Sequence, residues 1–205
     1  MASVKLTKNE LKTQKDNLKQ FERYLPTLQL KKQQLQTVIT KTEADLHEKE
    51  LEFADVLDGL EDWIAVFSEN TLFDGDKKIE NLVKPKKAIC TNDNIAGVIV
   101  PVFKELIFED IIYDVANYPL WVDEAVVKMR DFARLGMLIE ILKKQYELLK
   151  KELRYTSQRV NLFEKVKIPE AKENIRVISI YLGDQQTSAV VRGKIAKKKR
   201  QGVSE

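Results

Sequence analysis

The chain has 205 residues, 33% charged and 43% hydrophobic, with 7 Gly, 5 Pro, one Cys and one His. So little glycine and proline suits long helices better than a sheet-rich fold. The single cysteine and single histidine exclude an intramolecular disulfide and any multi-cysteine or two-histidine metal site. Net charge is +3 but unevenly spread, with 10 basic against 7 acidic residues in 1–50, 9 against 18 in 51–140, and 16 against 7 in 141–205. Basic ends around an acidic middle bear on partners and orientation more than on fold.

The first segment, "MASVKLTKNELK", has no apolar stretch of the kind a secretory signal needs. The longest apolar run, "IAGVIVPVF" at 95–103, falls far short of the roughly 20 residues of a membrane span. These features predict a soluble, cytoplasmic chain with no membrane insertion.

Residues 1–67 are predicted to be an N-terminal coiled-coil helix. Thr7 and Glu10 have the spacing of a capping box at its start. Heptad position a is occupied by Leu11, Leu18, Leu25, Lys32, Ile39, Leu46, Phe53 and Leu60, seven of the eight apolar. Position d is occupied by Gln14, Phe21, Leu28, Leu35, Thr42, Lys49 and Val56. A seam sustained over seven heptads indicates a coiled coil, beyond an ordinary amphipathic helix. Pro26 interrupts the run and is expected to kink it.

Residues 68–119 break the pattern and form a central insertion. Turn chemistry surrounds Asp74-Gly75, and two β-leaning runs at 86–91 and 95–108 flank Asn92-Asp93-Asn94. We expect a β-hairpin at 86–108 with its turn at those three residues. Pro101 suits an edge or bulge position, and "DVANYP" at 114–119 reads as the exit loop.

Residues 120–195 return to helix as a C-terminal coiled-coil segment, followed by a basic, flexible tail at 196–205. One ladder runs Leu135, Leu142, Leu149, Thr156 and Phe163, and a second runs Ile139, Tyr146, Leu153 and Val160. Beyond Pro169 the stripe resumes out of phase at Ile175, Ile178, Leu182 and Ala189. A phase slip at a proline marks a bend or a local change of winding.

The fold class is therefore mostly α: a long antiparallel two-helix coiled-coil hairpin, with a short α/β insertion carrying the β-hairpin at the end opposite the termini. If residues 5 and 195 lie level, Pro26 faces residue 174 and stands close in height to Pro169.

Catalytic signatures are missing. Neither a phosphate-binding Gly-Lys loop nor a dinucleotide fingerprint is present. His47 falls at position b and reads as solvated, and Cys90 reads as a thiol packed in a strand. Glu61 and Asp62 beside Trp63 fit a solvated helix face with one core aromatic. Asp74-Gly75-Asp76 is too short for a calcium loop. The basic tail Lys197–Arg200 could touch phosphates, but the acidic middle and the lack of a binding module weigh against a nucleic-acid partner. No active site emerges and no cofactor is called for.

Several motifs together resemble the D-subunit family of the V-type (A/V-type) rotary ATPases. They are Thr7, Lys8 and Leu11 at the start, "LKKQQL" at 30–35, and "IAGVIVP" at 95–101. Later come Arg159, Val160, Asn161, Glu164, Ile168 and Pro169, then Ile175, Ile178 and a Lys/Arg tail. Departures are Leu6 for the usual proline, Leu162-Phe163 for the usual Ala-Leu, and an atypical Pro26. The resemblance implies a non-catalytic rotor shaft of the central stalk, peripheral to the membrane. Its tip carrying both termini would insert into the ring of catalytic A and non-catalytic B subunits. Its other end would bind the F subunit and the funnel-shaped subunit on the membrane rotor ring. Torque would couple ATP synthesis or hydrolysis to proton or sodium transport.

Under that resemblance the basic residues Lys5, Lys8, Arg176, Arg192 and Lys194 are candidate ring contacts. Arg159, Asn161 and Glu164 either satisfy the carbonyl that Pro169 leaves without a donor, or grip the partner helix, or line a solvated face. Composition and periodicity alone would equally allow a free-standing coiled-coil scaffold or tether.

Overall fold

The computed structural model describes residues 4–68, 82–109 and 121–201. Helix α1 spans Lys8–Ser68, strands β1 and β2 span Pro85–Ile95 and Val98–Phe108, and helix α2 spans Val122–Leu162. A π-helical turn at Phe163–Lys167 joins α2 to α3, Ile168–Gln201. The turn expected at Asp74-Gly75, the exit loop at 114–119, and the side chains of Leu60, Glu61, Asp62 and Trp63 lie outside the described residues.

The N-terminus of α1 begins as its sequence suggests. The Glu10 N–H donates to Thr7 Oγ1 at 3.2 Å, the forward half of a capping box. From Leu11 to Val56, every a and d position of the heptad is buried or half-buried. Polar residues are tolerated there because they find partners within their own helix, as buried polar groups must. Thr42 donates to the Val38 carbonyl at 3.0 Å, Gln14 to Glu10 at 2.8 Å, and Lys49 to Glu52 at 2.6 Å. Helix α1 continues through Pro26, whose ring is exposed. On that side, water can serve the Glu22 carbonyl that loses its donor.

The chain divides into two compact units, the first made of residues 1–32 and 155–205, the second of residues 33–154.

In the second unit α1 and α2 run antiparallel. Phe53 stacks on Phe132 with ring centroids 4.4 Å apart, and Lys143 pairs with Glu50 at 2.8 Å. Leu35 and Leu149, both fully buried, meet Val100 of β2 in one core cluster, ringed by Val38, Ile39, Ile95, Val98 and Leu153. A smaller cluster joins Leu82, Val122 and Val126.

The β-hairpin lies along α2. Phe108 packs under the guanidinium groups of Arg130 and Arg134, each 5.4 Å from its ring centre. Gln145 Nε2 donates to the Pro101 carbonyl at 2.5 Å. Beyond it, the hairpin tip packs with Leu149 and Leu153. The lengths match: ten steps of strand at about 3.3 Å and 23 steps of helix at about 1.5 Å both come to roughly 35 Å.

The turn sits at Ala96-Gly97, with φ of 51° and 81°, and Ile95 pairs with Val98. Two positive φ values in a two-residue loop make a type I′ turn, whose twist matches that of the strands. The expected turn at Asn92-Asp93-Asn94 is thus corrected: these residues pair with Pro101, Val100 and Ile99 inside the ladder. Burial of Ile95, Val98 and Val100 fixes the register and outweighs the turn preference of three polar residues. Cys90 is exposed, not packed, because it alternates with the half-buried Ile89 and Thr91 and lies on the solvent face of the hairpin. Ala96 holds a left-handed conformation that an L side chain resists. Ala96→Asn is expected to stabilise the second unit by about 0.5–1 kcal/mol in urea denaturation, whereas Gly97→Ala should destabilise it by about 1 kcal/mol or more.

In the first unit the start of α1 lies antiparallel to the end of α2 and to α3. Phe21 meets Phe163 with ring centroids 5.3 Å apart, and Lys172 pairs with Glu22 at 3.4 Å. Asn17 and Ala171 border one gap, so Pro169 stands level with Lys19 and not with Pro26. The register that places Pro26 opposite residue 174 is therefore corrected. The end of α3 projects past the start of α1, so residues 5 and 195 are not level.

Candidate functional site

The two predicted ladders of α2 are buried or half-buried throughout: Leu135, Leu142, Leu149, Thr156 and Phe163, with Ile139, Tyr146, Leu153 and Val160. On the facing side of α1 the same holds for Leu11, Leu18, Phe21, Leu25, Leu28, Leu35, Ile39, Leu46 and Phe53. After Phe163 the seam resumes at Ile168, Ala171, Ile175, Ile178 and Leu182, of which Ala171 and Ile178 are buried and the others half-buried. Those five again have alternating three- and four-residue spacing. The single irregularity is the step from Phe163 to Ile168, five residues where four would continue the repeat.

The π turn occupies that step. The Ile168 N–H donates to the Phe163 carbonyl, a bond from residue i+5 to residue i, so the two seam residues on either side of the extra residue are joined directly. A π turn is a one-residue insertion into an α-helix. It returns Ile168 and everything after it to the face turned toward α1, from which an uninterrupted α-helix would rotate them by about 100°. Pro169 follows at once. A proline ring in a regular α-helix collides with the carbonyl four residues back and removes a hydrogen bond. Here the preceding turn is already widened and its bonding already shifted by one. The proline therefore occupies the one place in this helix where the regular pattern is given up in any case.

Below this turn the seam opens into a polar notch of about 140 Å³ lined by Gln14, Asn17, Phe21, Lys167, Glu170, Ala171 and Asn174. Lys167 and Glu170 pair across its rim at 3.3 Å. Apolar packing thus gives way to amide and charged groups directly beside the π turn. Ala171, absent from the expected stripe, becomes legible once one residue is skipped after Phe163.

Of the polar motif residues, Arg159, Asn161 and Glu164 are all exposed, and none makes a side-chain hydrogen bond or ion pair among the described residues. They serve neither the proline's orphan carbonyl nor the partner helix within this chain. Val160 between them is buried in the seam, while Thr7 and Lys8 sit exposed at the start of α1.

Lys5 and Lys8 are exposed near one end of the first unit, and Arg176, Arg192 and Lys194 are exposed along α3. Arg176 is held by Glu173 in the same helix, through Nε at 2.9 Å and Nη2 at 2.7 Å. That two-point bond, aided by the opposite charge, holds the Glu173 carboxyl below its ordinary range and raises the guanidinium. Its charge is therefore already matched, whereas Arg192 and Lys194 have no ion-pair partner among the described residues. Beyond Leu182 every residue of α3 with a described side chain is exposed, including Ala189, which was expected on the stripe. Val190, Val191 and Ile195 are 58, 49 and 53% exposed there. The reason is geometric: α1 begins at Lys8, level with the middle of α3, and among the described residues no helix faces the remainder.

His47 is exposed. Among the described residues no group of three His, Cys, Asp or Glu side chains could hold a metal, and no helix is long and apolar enough to cross a membrane.

The sequence matches the family of ATP synthase D subunits over residues 10–198. It is 51% identical to a V-type ATP synthase D subunit of Borreliella burgdorferi over 197 residues, covering 96% of this chain and 95% of the relative. Relatives of the same description from Chlamydia caviae and Chlamydia abortus are 34% and 35% identical over 200 residues, covering 98% of this chain and 95% of each.

Proposed function

The chain belongs to the ATP synthase D-subunit family, and we propose that it is the rotor shaft in the central stalk of a V-type ATPase. It transmits torque between an ion-driven membrane ring and a hexamer of catalytic A and non-catalytic B subunits, and performs no chemistry itself. The F subunit and the funnel-shaped subunit on the membrane ring are its other partners, and it sits in the cytoplasm, peripheral to the membrane.

The observation that carries this reading is the end of α3. Residues 183–201 extend about 28 Å as a single helix with no facing helix among the described residues. They present Val190, Val191 and Ile195 together with Arg192, Lys194 and Lys197–Arg200. A lone helix in water gains little from its own propensity, and exposed apolar residues on it invite a sleeve. A ring of subunits around it supplies one. Long charged faces also suit an axle, because many weak polar contacts can be exchanged as it turns without one deep trap. The two-helix seam behind that tip resists twist better than one helix would.

Truncation after Gly183 tests the proposal. The truncated chain should keep the helicity and stability of its seamed part, because no seam residue is removed. Reconstituted with A, B and F subunits, it should still assemble but lose most of its ion transport per ATP hydrolysed. Unchanged coupling would rule out the projecting helix as the driving tip.

A further inference from the structure

Strand β1 turns one edge of the hairpin away from β2, and we propose that this edge pairs with the same edge of a second copy of the chain. The product is an antiparallel four-stranded sheet with its two-fold axis at Cys90. The inference concerns the chain outside any larger assembly and does not rest on the rotor reading.

The direction of the backbone groups follows from two bonds. In an antiparallel pair, residues alternate between those bonded to the facing strand and those whose N–H and C=O point outward. The Pro101 carbonyl is taken by Gln145 of α2, so Pro101 and its partner Asn92 form an outward-pointing pair. The Asn94 N–H, two residues on, bonds to the Asp93 carboxylate at 2.7 Å and not to β2. Cys90 shares this parity, and its backbone groups and those of Asn92 are left facing solvent. No backbone bond from this stretch to anything but β2 is present among the described residues. Lys86, Lys87, Cys90, Asn92, Asp93 and Asn94 are all exposed. A row of unpaired strand groups is a template for another strand.

Charge then selects the partner. Lysines on an edge usually repel an added strand, and Lys86 and Lys87 do so for most registers. Antiparallel pairing of two copies about Cys90 instead sets Lys87 of each opposite Asp93 of the other, and Lys86 opposite Asn94. Two-fold registers centred on Thr91 or Asn92 bring no opposite charges together. The self-pairing is thus complementary in one register only. It also converts a two-stranded ribbon, marginal on its own, into a four-stranded sheet.

Sedimentation of the full chain over a hundredfold concentration range tests this. We expect a reversible monomer–dimer equilibrium. Asn92→Pro should abolish it while leaving the circular dichroism unchanged, because that N–H points away from β2. Asp93→Lys should weaken dimerisation by about tenfold or more, and Asp93→Lys combined with Lys87→Asp should restore it. Diamide, which takes up the two electrons and two protons released by two thiols, should link the dimer through Cys90. The link should fade in Asp93→Lys. A chain that is monomeric throughout, or a dimer that survives Asn92→Pro, overturns the proposal.

Discussion

Deletion of Val166 is expected to destabilise the first unit by about 3 kcal/mol, and adding Pro169→Ala is expected to abolish that loss. The expectation follows from the spacing of the seam. With Val166 gone, Val160, Phe163, Ile168, Ala171, Ile175, Ile178 and Leu182 fall into one unbroken alternation of three and four residues. The π turn then has nothing to absorb, and α2 and α3 can become a single α-helix. In that helix the proline meets an ordinary turn and costs its ordinary penalty. Removing the ring as well leaves a regular coiled coil, which should match or exceed the parent in stability. Pro169→Ala alone should change stability by less than about 1 kcal/mol, because seam phase and not the proline demands the extra residue. Denaturant midpoints for the three variants form a cycle, and its strong non-additivity is the signature. Additive effects would mean that the π turn and the proline are unrelated.

Leu149→Ala should cost about 3–5 kcal/mol, at the upper end for a buried leucine. The side chain is fully buried, and it contacts Leu35 of α1 and Val100 of β2 at once. Truncation therefore opens a cavity where three elements meet and where none can collapse without moving the others. The hairpin should loosen with it, so backbone amides of β2 should exchange faster while those near Phe53 and Phe132 change less. Leu148→Ala, one residue earlier, is the control. Leu148 is 40% exposed, and its loss should stay within about 0.5 kcal/mol. Similar penalties at the two positions would contradict this packing.

Most of the helical architecture was legible because an apolar residue every three or four positions has one economical explanation, a seam between helices. Gln14, Lys32, Thr42 and Lys49 weakened that signal, yet Gln14, Thr42 and Lys49 keep seam positions because each bonds within its own helix. The phase slip near Pro169 was also legible. Its mechanism was not, since sequence spacing counts residues and does not say whether a bend or a widened turn absorbs an extra one. The hairpin turn was misplaced because Asn92-Asp93-Asn94 carries strong local turn chemistry, whereas Ala96 is a poor residue for the left-handed conformation it adopts. Only the pull of Val98 and Val100 into a core distant in sequence decides the matter. The exposure of Cys90 and the register of the first unit depend on three-dimensional packing in the same way. Neither Gln145 nor Pro101 announces that a side-chain amide of α2 would tie down a strand carbonyl.

The meeting of Leu35 with Leu149 has a further consequence, for synthesis. More than a hundred residues separate them, so at about 5–20 residues per second the early helix waits about 6–23 s for its counterpart to leave the ribosome. Throughout that interval Leu35, Ile39 and Leu46 face water or whatever is nearest. The same seam that joins the folded helices therefore makes the nascent chain sticky, and trigger-factor-like holdases should engage the first half of the polypeptide and release it as the second half arrives.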